Sequence, residues 1–352
     1  MKTILYDEHV KMNAKIVDFH GWDMPLYYDS IIKEHMNVRN SCGIFDVSHM
    51  GDVFIEGKGA EAFLLKMVPT DIRKIKDGEC AYTAFLNKEG NIIDDTIIYK
   101  FNVNKFLCVP NASMIDIILN HLKENITRDV VIKDSSNSLS CIAVQGPKAK
   151  EVMEKLGYEL PEPFKFYEKN NAIISGTGYT GETGCEIIIG NEKAVSVWRE
   201  LLKILENYKS GPAGLGARDT LRMEKGMLLS GQDFSYDRNP VEASISFIID
   251  MNHEFIGKNV LENYENKIIF KGFVMEEDNM IPRHGYSIFN SSGDDIGKVT
   301  SGSISPILNK GIALGYIQKN QSKNGDMVFI NIRGKNHPAK ISRPRMLTSS
   351  HS

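Results

Sequence analysis

Apolar positions recur at helical spacing in some stretches of the chain and alternate in others. Ile31, Ile32, His35, Val38 and Arg39 predict a helix over 30–42, which Gly43 stops. A strand over 52–56 and a short amphipathic helix over 59–68 follow. Strands over 81–86 and 91–100 form a pair whose connecting turn is 87–90, and another strand covers 106–109. Met114, Ile117, Ile118, His121 and Leu122 share one face of a helix over 113–124. Residues 52–139 thus read as a small α+β unit. The pattern then changes. A strand over 139–144 runs into Gln145-Gly146-Pro147, where Pro147 suits the first turn of a helix ending near Gly157. Strands over 172–175 and 186–189 bracket a Gly-rich connection. Val195, Trp198, Leu201, Leu202 and Leu205 form the core stripe of a helix over 192–208. A second helix covers 217–228. Beyond Lys267 short apolar strands separated by Gly, Asn and Ser turns take over, the pattern of a compact all-β domain.

At 352 residues the chain exceeds one ordinary hydrophobic core, so two or three domains are expected. A net charge of -3 without a basic run excludes a nucleic-acid signature but leaves local anion pockets open. No apolar run approaches a membrane span, and the N-terminal apolar stretch is too short for a signal peptide. The five cysteines are scattered with no CxxC pair, which fits buried thiols in a reducing compartment. The nine histidines lack metal-ligand spacing, so no metal site is expected.

Three stretches stand out chemically. Ile92-Ile93-Asp94-Asp95-Thr96-Ile97-Ile98-Tyr99 sets two carboxylates inside a strand. Alternation puts Asp95 on the apolar face of Ile93, Ile97 and Tyr99, and Asp94 on the more polar face of Thr96 and Lys100. A carboxylate on an apolar face needs a partner; it is either a strand-edge Asp bonded to a turn or a catalytic group. Gly176, Gly178, Gly181 and Gly184 lie within nine residues and form either a tight turn or a backbone that a ligand approaches closely. Glu186 follows at the start of an apolar strand. In Gly214-Leu-Gly-Ala-Arg-Asp-Thr-Leu-Arg, glycines lead into a helix whose Arg218 and Arg222, at i and i+4, share a face. That pair suits an anionic or planar polar ligand, or a surface network with Asp219 and Glu224.

The ordered set FHGWDMPLYY, CGIFDVSHMG, DDTIIY, VQGP, GYTGETGCEI, GLGARDTLRMEKG, FIGK, VTSGSISP and GIALGYI resembles the T-protein family of the glycine cleavage system over residues 5 to 335. The resemblance implies an α+β, three-domain cloverleaf. A discontinuous folate-binding domain (1–51 and 140–266) would enclose a ferredoxin-like domain (52–139), and a C-terminal β-barrel (267–352) would close the ring. It implies an aminomethyltransferase that moves the methylene carbon from the aminomethyl-lipoyl arm of H protein to tetrahydrofolate, releasing ammonia. Tetrahydrofolate would be a co-substrate, with no metal and no flavin. The lipoylated H protein would be the partner, with functional links to glycine decarboxylase and dihydrolipoyl dehydrogenase. No nucleic acid or membrane would be involved. The expected location is the cytoplasm or, for a mature imported chain, the mitochondrial matrix. Residue by residue, Asp95 matches the family's catalytic aspartate. Met50, Tyr82 and Asn111 match positions lining the folate cavity, Glu186 the carboxylate that holds the pterin ring, and Arg218 an arginine at the folate site.

The chain departs from the family pattern in three places. Ser230 stands where a tyrosine is frequent, Gly176 replaces an arginine, and the tail lacks the usual Pro-Phe ending, leaving Arg345 as the candidate for a C-terminal folate contact. The same fold serves folate-dependent demethylases and a non-enzymatic folate protein of iron–sulfur cluster maintenance. The latter's Lys-Gly-Cys signature is absent here, since Met227 follows Lys225-Gly226.

Overall fold

The computed structural model describes residues 1–347; positions 348–352 of the expected barrel domain lie outside the described residues. The chain opens with a short helix, Tyr6–Lys11, and a hairpin, Lys15–Phe19 with Trp22–Tyr27. His20 and Gly21 turn the hairpin with positive φ at both positions, as two-residue connections require.

A five-stranded sheet follows the order Phe166–Lys169, Ala172–Ser175, Gly184–Gly190, Leu139–Gln145, Gly43–Asp46. Its edge strand Gly43–Asp46 pairs antiparallel with Leu139–Gln145, so the chain leaves this sheet near 46 and returns to it near 139. The helix predicted over 192–208 is Asn191–Glu206. It buries Trp198, Leu201 and Leu205 in the core that holds Ile142, Val144 and Ile187.

Between departure and return lies the second sheet. Its order is Glu79–Leu86, Ile92–Asn102, Lys105–Val109, Val53–Glu56, Val131–Asp134, all antiparallel. That is a ferredoxin-like order with Glu79–Leu86 added at one edge. Asn87–Gly90 makes the expected turn, with Asn91 N–H donating to the Asn87 side chain at 2.8 Å and Gly90 at φ +77°. Helices Ala60–Met67 and Ile115–Glu124 share one core with this sheet, in which Phe63, Leu64, Ile118 and Leu122 meet Ile98 and Phe106. A second cluster joins the two sheets through Tyr99, Leu107, Ile173 and Ile188.

Six strands from Ile268–Met275 to Lys335–Ser342 close into an antiparallel barrel. Phe273, Ile288, Val299, Ala313, Ile330 and Ile341 fill it, as the turn-rich apolar pattern beyond 267 leads one to expect.

The helix Leu215–Lys225 packs against both the helix Ile31–Asn40 and the barrel strand Asp295–Ser305. It stops three residues before the expected Leu228 because Gly226 takes the left-handed conformation. Two of its buried charges, Arg222 and Glu224, are fully partnered, whereas the Lys225 ammonium makes no hydrogen bond and only approaches Glu182 at 3.9 Å. Arg222 is 1% exposed and donates to Asp233 at 2.7 Å, Ser301 at 2.9 Å, Asp219 at 2.9 Å and the Met227 carbonyl at 2.9 Å. Glu224 accepts from Arg39 at 2.8 Å and from Ser305 at 2.5 Å, with His35 at 3.2 Å.

Removing one partner of a buried ion pair leaves the other charge uncompensated, at a cost of about 3–5 kcal/mol. Arg222→Ala is therefore expected to lower unfolding stability by that order. Arg222→Lys should recover little of it, because an ammonium cannot reproduce a planar fork bonded on several sides. Denaturant titration of both variants checks this; a loss under about 1 kcal/mol for Arg222→Ala would contradict the bookkeeping.

Candidate active site

A cavity of about 1080 Å³ opens where the two sheets and the barrel meet. It is at the upper end of small-molecule sites and has room for a ligand of several rings. The first sheet and its helices contribute Met50, Glu186 and Arg218, the second sheet Tyr82, Asp95 and Asn111, and the barrel side Phe270 and Arg345. All six residues picked from the sequence line this one space.

Asp95 faces the cavity with Ile97 and Tyr99, as strand alternation places it. Its Oδ2 accepts from the Tyr82 hydroxyl at 2.8 Å, and its Oδ1 accepts from Asn111 Nδ2 at 2.8 Å. The Tyr82 ring stacks on Phe247, with ring centroids 6.1 Å apart. Phe247 is 74% exposed at the cavity rim.

Asp94 departs from expectation. The face it shares with Ile98 packs on the helices, so Asp94 is fully buried rather than set on a polar face. It is fully partnered there. Asn111 donates to it from the backbone N–H at 2.9 Å and from Nδ2 at 2.8 Å, and the Ser230 hydroxyl donates at 2.7 Å. Burial, reinforced by the neighbouring Asp95 charge, pushes the Asp94 carboxyl up to about 7. Burial also raises Asp95, outweighing the hydrogen bonds from Tyr82 and Asn111. The two carboxylates titrate as a pair. Burial likewise lifts the Tyr82 hydroxyl well above its ordinary range, so it remains a donor.

On the opposite wall, Glu186 begins the apolar run of its strand, and Thr177 Oγ1 donates to its Oε2. Ser175 at 2.9 Å and Tyr99 at 3.3 Å hold that threonine in turn. The other oxygen, Oε1, has no protein donor among the described residues. Asp52 also lines the cavity; burial, with the charges of Asp134 and Glu186, pushes its carboxyl up to about 7.

Arg218 and Arg222 do not act together, although they are one helical turn apart. The Arg222 guanidinium is consumed by Asp233 and Ser301 near the barrel, whereas Arg218 reaches the cavity and lies over the Tyr179 ring at 4.5 Å. Of the surface network considered for this helix, only the Arg222–Asp219 contact forms; Glu224 turns inward to Arg39.

The glycines of the 176–184 stretch border the cavity, but the protein's own atoms account for them. A Cβ at Gly176 would come within 2.1 Å of the Glu162 carbonyl oxygen, at Gly178 within 2.1 Å of the Gln145 side chain, and at Gly181 within 2.3 Å of the Lys225 stem. The turn reading describes this stretch better than close ligand approach. Gly176 also leaves no room for the arginine of the family pattern. Arg345 is exposed at the cavity edge. Thr177 and Phe247 belong to the site and carried no signal beyond residue type, and Tyr179 lay in a matched stretch without being singled out. Ser230 was visible as a departure, but its bond to Asp94 across 136 positions was not.

Similarity to known proteins agrees with this architecture. The family description "GCVT N-terminal domain" matches residues 5–253, and "Glycine cleavage T-protein C-terminal barrel domain" matches 270–347. The aminomethyltransferase of Halothermothrix orenii is 39% identical over 345 residues, covering 95% of this chain and 96% of that protein. That of Thermoanaerobacter pseudethanolicus is 42% identical over 349 residues, covering 95% and 94%. The crystal structure of glycine cleavage system aminomethyltransferase T from Bartonella henselae superposes with a TM-score of 0.92 at 29% identity, covering 99% of this chain and 98% of that one. With two matched domains spanning nearly all of its length, the chain belongs to the glycine-cleavage T-protein family of aminomethyltransferases.

Proposed function

We propose that the chain transfers the methylene carbon of an aminomethyl group, carried on the lipoyl arm of H protein, to tetrahydrofolate. Methylene-tetrahydrofolate, ammonia and the dihydrolipoyl arm would be the products. The observation that carries this reading is one cavity holding two carboxylates from different sheets, each with an oriented protein donor.

A pterin ring carries an amino group and a ring N–H side by side, and a carboxylate can accept both in parallel. Glu186 suits that task because Thr177 orients it while Oε1 stays open to the cavity. Met50 and Tyr82 offer apolar and aromatic surface to the rest of the ligand, and Arg218 offers a cation. Asp95 then stands beside the nucleophilic folate nitrogen. Held by Tyr82 and Asn111, it orients that nitrogen and stabilises the departing ammonium. Phe247 at the rim, stacked on Tyr82, gives a thioether arm an apolar surface along which to enter. We assign the H protein as direct partner and the cytoplasm as location, with glycine decarboxylase and dihydrolipoyl dehydrogenase acting in the same system. The domain division at 51/52, 139/140 and 266/267 belongs to the same reading.

Purified protein should form methylene-tetrahydrofolate when given tetrahydrofolate and the aminomethyl-loaded lipoyl carrier. Turnover with a free methylated amine, and none with the loaded carrier, would replace this reading with a demethylase.

Glu186→Ala should weaken tetrahydrofolate binding by roughly 2–4 kcal/mol, the usual loss on truncating a buried charged hydrogen-bond partner. Calorimetry showing unchanged affinity would make Glu186 a purely structural residue.

Asp95→Asn keeps the shape and removes the charge. It should fold and bind folate, and lose on the order of a hundredfold in turnover, as positioned acid–base groups typically contribute. Because burial raises the Asp94–Asp95 pair, with Asp94 near 7, a proton enters the pair as pH falls through neutrality. Wild-type turnover should therefore decline there, well above the range of an ordinary carboxylate. A pH–rate profile that stays flat down to the ordinary carboxylate range would remove an ionised Asp95 from the rate-determining step.

A further inference from the structure

Asn111 joins the two aspartates, and its own hydrogen bonds determine which way its amide points. A side-chain amide has two N–H donors and one carbonyl acceptor. Nδ2 lies 2.8 Å from Asp94 Oδ1 and 2.8 Å from Asp95 Oδ1, with the Asp95 carbonyl at 3.2 Å. Both hydrogens are therefore taken by carboxylate oxygens. Flipping the amide would set its oxygen against the same acceptors, so the flipped form is excluded electrostatically.

Asp94 secures this arrangement from behind. One of its oxygens accepts the Asn111 backbone N–H at 2.9 Å, the other accepts the Ser230 hydroxyl at 2.7 Å, and its side chain is fully buried. Asn111 consequently has nothing left to donate to a ligand. Its Oδ1 has no donor among the described residues, and Asn111 lines the cavity beside Asp95. The cavity wall next to the proposed reacting nitrogen thus presents an acceptor and no amide donor.

We propose that Asn111, held by Asp94 and Ser230, reads the oxidation state of the folate ring by offering its carbonyl oxygen to a ring N–H that tetrahydrofolate carries and folic acid lacks. This rests on the folate reading above and goes beyond it, since it identifies what separates the productive ligand from its oxidised form. The two nitrogens of the saturated half of the tetrahydropterin ring bear hydrogens. In folic acid the same nitrogens carry lone pairs, and one of these facing Asn111 Oδ1 is an acceptor against an acceptor. The bridging N–H outside the ring is present in both compounds and cannot discriminate. Asp94 does not border the cavity; Ser230, where the family pattern frequently has tyrosine, borders it but spends its hydroxyl on Asp94. They are positioning residues for the amide.

The test is anaerobic calorimetric titration of tetrahydrofolate and of folic acid into wild type, Asp94→Asn and Ser230→Ala. Wild type should prefer tetrahydrofolate by about tenfold or more, in line with sites built around a specific substrate N–H. Asp94→Asn removes one of the two carboxylates that fix the amide and lets the flipped form compete, so the preference should shrink to within about threefold, with Ser230→Ala between the two. A purely structural role would weaken both ligands together and leave the ratio intact, which overturns the inference even if affinities fall. A wild-type ratio near one overturns it as well. If folded wild type binds neither compound, the folate reading itself fails. If Asp94→Asn does not fold, the ratio in Ser230→Ala decides the matter.

Discussion

Charges that are removed from water must be paired, and the helix Leu215–Lys225 places several of them at the centre of the molecule. Arg222 and Glu224 are both almost wholly buried. Neither is satisfied within its own helix alone. Arg222 requires Asp233 and Ser301, and Glu224 requires Arg39 and Ser305. These partners come from the helix Ile31–Asn40, from the loop after Leu215–Lys225, and from the barrel strand Asp295–Ser305. The pairing therefore ties two distant stretches of chain, and the loop that follows the helix, to one rod. Apolar contact could bury the same surface in several orientations, whereas a guanidinium fork with this many partners accepts far fewer.

The cavity inherits that arrangement. Arg218 is one turn before Arg222 on the same helix and looks into the cavity. Across from it, the strand Ile92–Asn102 divides its labour by parity. Ile98 packs into the helix-covered core, while Asp95, Ile97 and Tyr99 border the open space. A strand whose two faces meet such different surroundings can hold two adjacent carboxylates in different roles. Asp94 takes donors from Asn111 and Ser230, and Asp95 faces outward.

Much of this was legible in the sequence, and the misses have physical causes. Alternation placed Asp95 with Ile97 and Tyr99 on the cavity side, but Ile93, expected on that face, packs in the helix-covered core because the register shifts at that end of the strand. The same alternation misplaced Asp94, because Thr96 and Lys100 look polar while their face is covered by helices; Lys100 itself is buried against Glu61. The edge strand Val131–Asp134 is exposed at three of its four positions, and its apolar run Val130-Val131-Ile132 is too short and unalternating to mark a strand. The half-exposed hairpin at 15–27 was missed for a similar reason. The divergence of Arg218 and Arg222 depends on Asp233 and Ser301, whose proximity is a property of the fold and not of local spacing. The folate-facing roles came from family resemblance, whereas the orientation of Asn111 needed its two carboxylate partners in three dimensions.

The end of the central helix has a consequence for the order of assembly. Gly226 takes φ +70°, and a Cβ there would come within 2.2 Å of the Pro344 carbonyl carbon. The Glu224 carbonyl, left free at the helix end, accepts backbone N–H groups from Met346 at 3.0 Å and Leu347 at 3.2 Å. A segment beyond the last barrel strand thus caps a helix that begins at Leu215. Contacts this far apart along the chain must overcome loop-closure entropy before they contribute anything. On a chain made from its N-terminus, this cap becomes available only after every barrel strand has been synthesised. The cavity it borders is therefore finished only once the segment beyond the barrel has docked onto the helix end.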